Sequence, residues 1–224
     1  MAKKTQQTTW AGALMEKLTG RASGGHERIA KKPVAERLGW LSKRNRGDEE
    51  KTAAAAGVTR RTLKSWLSGK SKPSAKSMDK LDRAEREAMT RLVSAKDRAE
   101  MDSSTKRIGT RSRDARVTGG AFLSGTIRVS QDERDRLILF GRHMPSGFMD
   151  EVRQAFVEGG QEAAIKKMED GLADHYFGTS DFEIISVDEL SFDGISDPLG
   201  DVGDADGRYI SDVESLRPGD ILED

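Results

Sequence analysis

Residues 49–69 read EEKTAAAAGVTRRTLKSWLSG, and no other stretch of the chain restricts its fold as tightly. Glu49 to Ala56 spells a short Ala-rich helix, Gly57 breaks it, and Thr59 is placed to cap a second helix that ends near Gly69. Two helices joined so abruptly need three things. One is a small residue where they pack closely, another is a residue that can turn sharply, and the third is a set of apolar anchors on the inner face of the second helix. Ala53 supplies the first and Gly57 the second, with Val58 plugging beneath the turn. Leu63 and Trp66, six and nine residues after Gly57, supply the third. The pattern is that of a helix-turn-helix, and it leaves Thr59, Arg60, Arg61, Lys64 and Ser65 projecting from the N-terminal half of the second helix. In such units that half meets base edges and phosphates. Lys70, Lys72 and Lys76 follow, either reaching phosphates or standing as exposed loop lysines. Two helices packed in a basic bundle with solvated arginines would share the charge but would not require the anchor spacing.

The charge balance sharpens this reading. The 224 residues carry 38 Lys+Arg and 38 Asp+Glu, a formal charge of zero. Residues 1–120 hold 29 basic and 14 acidic side chains (+15), and residues 121–224 hold 9 and 24 (−15), so the neutrality is a cancellation of two opposite halves. A basic half bearing a helix-turn-helix points to nucleic acid. Six phosphate contacts would weaken binding about a thousandfold between 50 and 200 mM salt. With no Cys, disulfide frameworks, thiolate zinc sites and Cys nucleophiles are excluded. No apolar run approaches the ~18 residues of a membrane span, and the start MAKKTQQTTW lacks the apolar core of a signal peptide. The expected location is therefore cytoplasmic and nucleoid-associated.

The fold class expected is mainly α with a small α+β C-terminal domain. Residues 1–32 form an N-terminal helix, with Trp10, Leu14 and Leu18 at steps of four, and then a linker, GRASGGHERIAKK. Residues 33–100 form the helix-turn-helix bundle. Its first helix follows Pro33 with Val34, Leu38 and Leu41 on one face. Its last, capped by Ser74, lines Met78, Leu81, Ala84 or Glu85, Ala88 and Leu92 inward and fades by about residue 100. Residues 101–125, rich in Ser, Thr, Gly and Arg, read as a flexible basic linker. In residues 126–192 a short strand (126–129) leads into Ser130-x-x-Glu133, a capping box for a helix through Leu137, Leu139 and Phe140. Helices around Val152 and Phe156 and around Ala164, Met168 and Tyr176 follow, and then a strand over FEIISVDELSF (182–192). Residues 193–224 read as an acidic disordered tail, either a solvated segment or a mimic of DNA competing for the basic half.

End to end, the chain resembles the telomere-associated terminal proteins of linear actinobacterial (Streptomyces-type) chromosomes and plasmids. The resemblance covers about residues 33–192. It rests on GVTRRTLKSWLSGKSKPSAKSMDKLDRAERE (57–87), TIRVSQDERDRL (126–137) and AAIKKMEDGLADHYFGTSDFEIISVDELSF (163–192), with the GLADHYF passage the most telling. It implies binding at telomeric DNA ends, covalent attachment to the 5′ terminus through a hydroxyl that primes replication, and two partners, a telomere-binding protein and a DNA polymerase. The protein would then be the acceptor of deoxynucleotidylation rather than the catalyst. The family's attachment Thr corresponds loosely to TRSRDARVTGGAFLSGT (110–126). The chemistry asks for an exposed hydroxyl on flexible backbone near positive charge. Thr118 fits best, after Arg111, Arg113 and Arg116 and before Gly119-Gly120, with Ser124 and Thr110 the other candidates and Thr126 disfavoured by starting a strand.

A different class of function uses the same motif: a transcriptional regulator binding a duplex operator, with the C-terminal domain for dimerisation. A homodimer is compatible with both. No metal or cofactor is expected. His26, His143 and His175 lack ligand spacing, the Asp204-Ala-Asp206-Gly207 run puts Val202 and Val213 where a calcium loop needs carboxylates, and there is neither a G-x-S-x-G elbow nor a phosphate-cradling Gly motif.

Overall fold

Apolar residues at helical spacing build most of the chain, which is mainly helical with one small antiparallel sheet. The computed structural model describes residues 8–21, 25–104, 121–141 and 143–192. Helix α1 (Trp10–Thr19) starts where the Thr9 hydroxyl accepts the Gly12 N–H. Then come α2 (Gly25–Ala30), α3 (Val34–Arg44), α4 (Glu49–Ala55), α5 (Arg60–Leu67), α6 (Ala75–Thr90) and α7 (Ala95–Ser104). The C-terminal part consists of β1 (Phe122–Val129), β2 (Asp132–Ile138), α8 (Phe148–Gly159), α9 (Gln161–Leu172) with a π turn (Ala173–Phe177), β3 (Phe182–Ile184) and β4 (Glu189–Ser191). Strand β1 lies at the centre, antiparallel to β2 on one side and to β3 and β4 on the other.

Four stretches depart from the sequence expectation, each for an identifiable reason. Part of the supposed linker after α1 is helix α2, because Ile29 is buried in the core. The single helix expected from Ser74 to about residue 100 is two, α6 and α7, parted at 91–94 where Val93 turns into the core, and α7 runs on into the expected linker and buries Met101. Strand β1 begins at Phe122, four residues before the expected start, and takes in Leu123 and Gly125 on its buried face. The largest difference is β2. Residues 132–138 form the second arm of a hairpin with Val129 opposite Asp132, joined through Ser130 at φ 53°. The capping-box spacing is present, but Asp132-Glu-Arg-Asp-Arg136 offers a helix no apolar stripe, whereas β1 needs a partner for its backbone. As the outer strand of the sheet, β2 carries its charges on an edge that would otherwise invite another strand.

The expected strand over 182–192 is present in two pieces. Between the Ile127–Ile184 and Ser124–Glu189 pairs, two residues of β1 face four on the returning chain. The surplus crosses close against β1, with Val187 buried, while Ile185 donates to the Thr126 carbonyl (2.9 Å) and Asp188 to that of Ser124 (2.9 Å). Val187 pairs with Thr8 through two backbone hydrogen bonds (2.9 and 3.0 Å), which ties the start of the described chain to the C-terminal sheet. Gly125 permits the close crossing, since a Cβ there would overlap the Ser186 carbonyl oxygen.

Two apolar clusters fill the interior. One joins Leu38, Leu41, Ala53, Ala56, Leu63, Trp66, Leu81, Ala84 and Ala88 across α3 to α6. The other gathers Trp10, Leu14 and Leu18 with the sheet, α8 and α9, so the N-terminal helix packs with the C-terminal part rather than standing apart. Fully burying a leucine contributes about 1.5–3 kcal/mol, and Leu38, Leu63 and Leu81 are all but inaccessible. Helix α6 is shared: its Leu81, Ala84 and Ala88 enter the first cluster and its Met89 the second. Arg86 on the same helix donates to the carbonyls of Val157 and Glu158 (2.8 Å each) at the end of α8.

Candidate nucleic-acid interface

The turn between α4 and α5 follows from three residues. Gly57 adopts φ 64°, a left-handed conformation that a Cβ disfavours. Its N–H bonds the Ala54 carbonyl (3.0 Å) and the Val58 N–H that of Ala53 (2.9 Å), closing the helix in a Schellman arrangement with Val58 packed on the apolar cluster. The Thr59 hydroxyl then accepts the Thr62 N–H (3.2 Å) and starts α5. Leu63 and Trp66 point inward, both buried. The chain leaves α5 through Gly69, φ 71°, just past its end, and Ser74 caps α6 by accepting the Ser77 N–H (3.3 Å).

This geometry sorts the expected contact residues. Arg60, Arg61 and Lys64 stand exposed on α5, Lys70 and Lys72 on the segment after it, and Lys76 in the first turn of α6. Thr59 and Ser65 are committed locally: Thr59 caps the helix, and the half-buried Ser65 hydroxyl lies 2.8 Å from that of Ser71. Residues 51–78 contain Lys51, Arg60, Arg61, Lys64, Lys70, Lys72 and Lys76 and no Asp or Glu. Among the described residues one carboxylate reaches α5 from outside that tract. Glu49, the first residue of α4, places Oε2 3.1 Å from both Arg60 NH2 and Lys64 Nζ. Arg60 first, and Lys64 with it, hold the Glu49 carboxyl below the usual glutamate range. Sequence reasoning missed this bridge, because the residues it joins lie on different helices.

A second charged node joins α3 to α6. Arg37 on α3 is 2% exposed and Glu85 on α6 is 0% exposed. The guanidinium donates from Nε and NH2 to the two Glu85 oxygens (3.0 and 2.7 Å), and from NH2 to Asp82 as well. Burial works against the Arg37 charge, but the hydrogen bonds to Glu85 and Asp82 more than offset it and raise its pKa above the ordinary arginine value. His26 brings a ring nitrogen into the same neighbourhood, within 4.8 Å of Asp82 and Glu85 oxygens. Both carboxylates already serve Arg37, and Arg86 adds another positive charge beside His26, so a metal ion there would face two guanidinium groups.

The attachment candidates separate. Thr118 and Thr110 lie outside the described residues. Ser124 sits in the middle of β1, half-buried, opposite Leu137 on one side and Glu189 on the other. Its backbone is therefore pinned in a three-strand ladder, not held on the flexible segment that a priming hydroxyl needs, and Ser124 is withdrawn as a candidate. The Thr126 hydroxyl donates to Asp135 (2.8 Å). Among the described residues no helix is long and apolar enough to cross a membrane. Comparison of the chain with protein-family models, with curated proteins and with solved structures gives no match.

Proposed function

We propose that this chain is a DNA-binding protein that lays α5 into the major groove of duplex DNA, with Arg60, Arg61 and Lys64 toward base edges and phosphates. Lys70 and Lys72 bind the flanking backbone. The observation that carries the reading is the pairing of an anchored helix-turn-helix, with Leu63 and Trp66 buried and Gly57 at the turn, with an exposed face whose surrounding 28 residues (51–78) hold seven cations and no carboxylate. A structural bundle would need the buried half of this pattern but not the other.

The biological role proposed with it is that of a terminal protein at the ends of a linear replicon. It caps the end, and a hydroxyl of the basic segment before β1, where Thr118 and Thr110 are the candidates, attacks the α-phosphate of the first deoxynucleoside triphosphate, the polymerase taking up the proton and releasing pyrophosphate. This part rests on the sequence resemblance. A telomere-binding protein and a DNA polymerase are the partners it requires. The test is extraction of host DNA with and without protease. Terminal fragments that enter a gel only after digestion support the role, and Thr118→Ala or Thr110→Ala should abolish the linkage at the residue used. Freely migrating ends, together with tight non-covalent binding to a duplex operator, would replace the terminal-protein role with that of a transcriptional regulator.

A further inference from the structure

Glu49 does little for folding in this position. Its side chain is 41% accessible and its two partners are exposed, and ion pairs open to solvent contribute little to stability. Asp48, not Glu49, caps α4, accepting the N–H groups of Glu50 and Lys51 (3.0 Å each). What the Glu49 carboxylate does is occupy the two α5 cations that flank Arg61 in sequence, from the only side where an anion meets α5 in the described structure. A DNA phosphate approaching Arg60 or Lys64 must displace that carboxylate and then sit near its negative charge.

We infer that Glu49 is a built-in competitor for DNA that sets the specificity of the interface: it neutralises Arg60 and Lys64 against nonspecific backbone binding and releases them only where contacts made elsewhere along α5 offset the exchange. The inference rests on the DNA-binding reading and adds a residue outside the recognition helix to it. Nonspecific binding draws almost entirely on phosphate contacts and so bears the full cost of displacing Glu49, whereas a cognate site compensates through base edges.

The experiment is fluorescence anisotropy of the full chain on a 20-base-pair duplex of arbitrary sequence, from 50 mM to 1 M salt. Wild type is compared with Glu49→Gln, Glu49→Asp and Glu50→Gln. Freeing one phosphate contact steepens the slope of log K against log salt by about 0.9, equivalent to about tenfold tighter binding at 50 mM. Glu49→Gln is expected to show both changes. Glu49→Asp keeps the charge on a side chain one methylene shorter, too short to bridge both cations, and should move the same way by a smaller amount. It also carries the test if the Gln variant does not fold. Glu50→Gln removes the same charge from the neighbouring exposed position, where no ion pair with α5 exists, and should leave the slope at the wild-type value. Equal effects of Glu49→Gln and Glu50→Gln, or weaker binding by Glu49→Gln, overturn the inference while leaving DNA binding standing. No binding by any of the four proteins overturns the DNA-binding reading and the inference with it.

Discussion

Arg37 and Glu85, 48 residues apart in the chain, form a bidentate pair almost wholly removed from solvent, and with it α3 is clamped to α6. Removing one partner leaves the other charge buried without its bidentate partner. Arg37→Met is therefore expected to cost about 3–5 kcal/mol in urea unfolding, with Glu85 left uncompensated. Replacing both, Arg37→Met with Glu85→Leu, should recover most of that loss, since a well-packed apolar pair can match a buried ion pair. A double variant as unstable as the single one would show that the pair contributes more than mutual neutralisation.

His26 is expected to make stability depend on pH. Its buried Nε2 has no hydrogen-bond partner among the described residues, and its ring packs edge-on against Phe156 at 6.4 Å. Burial lowers its pKa from 6.5, with Arg86 and Arg37 adding to the effect and Asp82 and Glu27 opposing it. The unfolded chain then binds the proton first as pH falls, so stability is full above about 6.5 and is lost below it, by at most about 1.4 kcal/mol per pH unit. Urea melts at pH 7.5, 6.5 and 5.5 should show this decline in the wild type and a flatter profile in His26→Gln. Parallel profiles would assign the pH dependence to other groups.

The parts of the fold that were legible in the sequence are those encoded locally. Ala53, Gly57, Thr59, Leu63 and Trp66 lie within fourteen residues, and each acts on its neighbours, so the turn and its anchors could be read directly. Strand β2 was not legible, because its register is set by β1 and its Ser130–Glu133 spacing imitates a helix start. Arg37 shares the helical stripe of Val34, Leu38 and Leu41, which marks it as inward-facing, but nothing local names Glu85 as its partner. The Glu49 bridge and the return of Thr8 to Val187 are likewise contacts between segments, invisible to periodicity.

The cations of the interface should divide into two kinds. Lys70→Ala and Lys72→Ala, at exposed positions beyond α5, are each expected to weaken binding alike on every duplex and to reduce the salt slope by about 0.9. Arg61, exposed on α5, is expected to read a base: Arg61→Ala should cost about 1–3 kcal/mol on a selected site and much less on random DNA. Anisotropy titrations on both kinds of duplex make the comparison. An Arg61 variant that loses equally on both is a phosphate contact instead.

Two glycines are required for different reasons, and their alanine variants should rank accordingly. At Gly57 the cost is conformational: φ is 64°, and an added Cβ would come 2.9 Å from Lys80 Cδ, the far part of a flexible side chain that can move aside. Gly57→Ala should lose about 1–2 kcal/mol, the ordinary left-handed penalty. At Gly125 the obstacle is the Ser186 carbonyl, backbone held in place by the hydrogen bonds of Ile185 and Ser186 to Thr126. Relief there means unpicking the bulge that lets β3 and β4 both pair with β1, so Gly125→Ala should lose about 3 kcal/mol or more. Urea midpoints of the two variants give the order directly. A Gly125→Ala protein more stable than Gly57→Ala would mean that the returning chain does not press on β1 at this point.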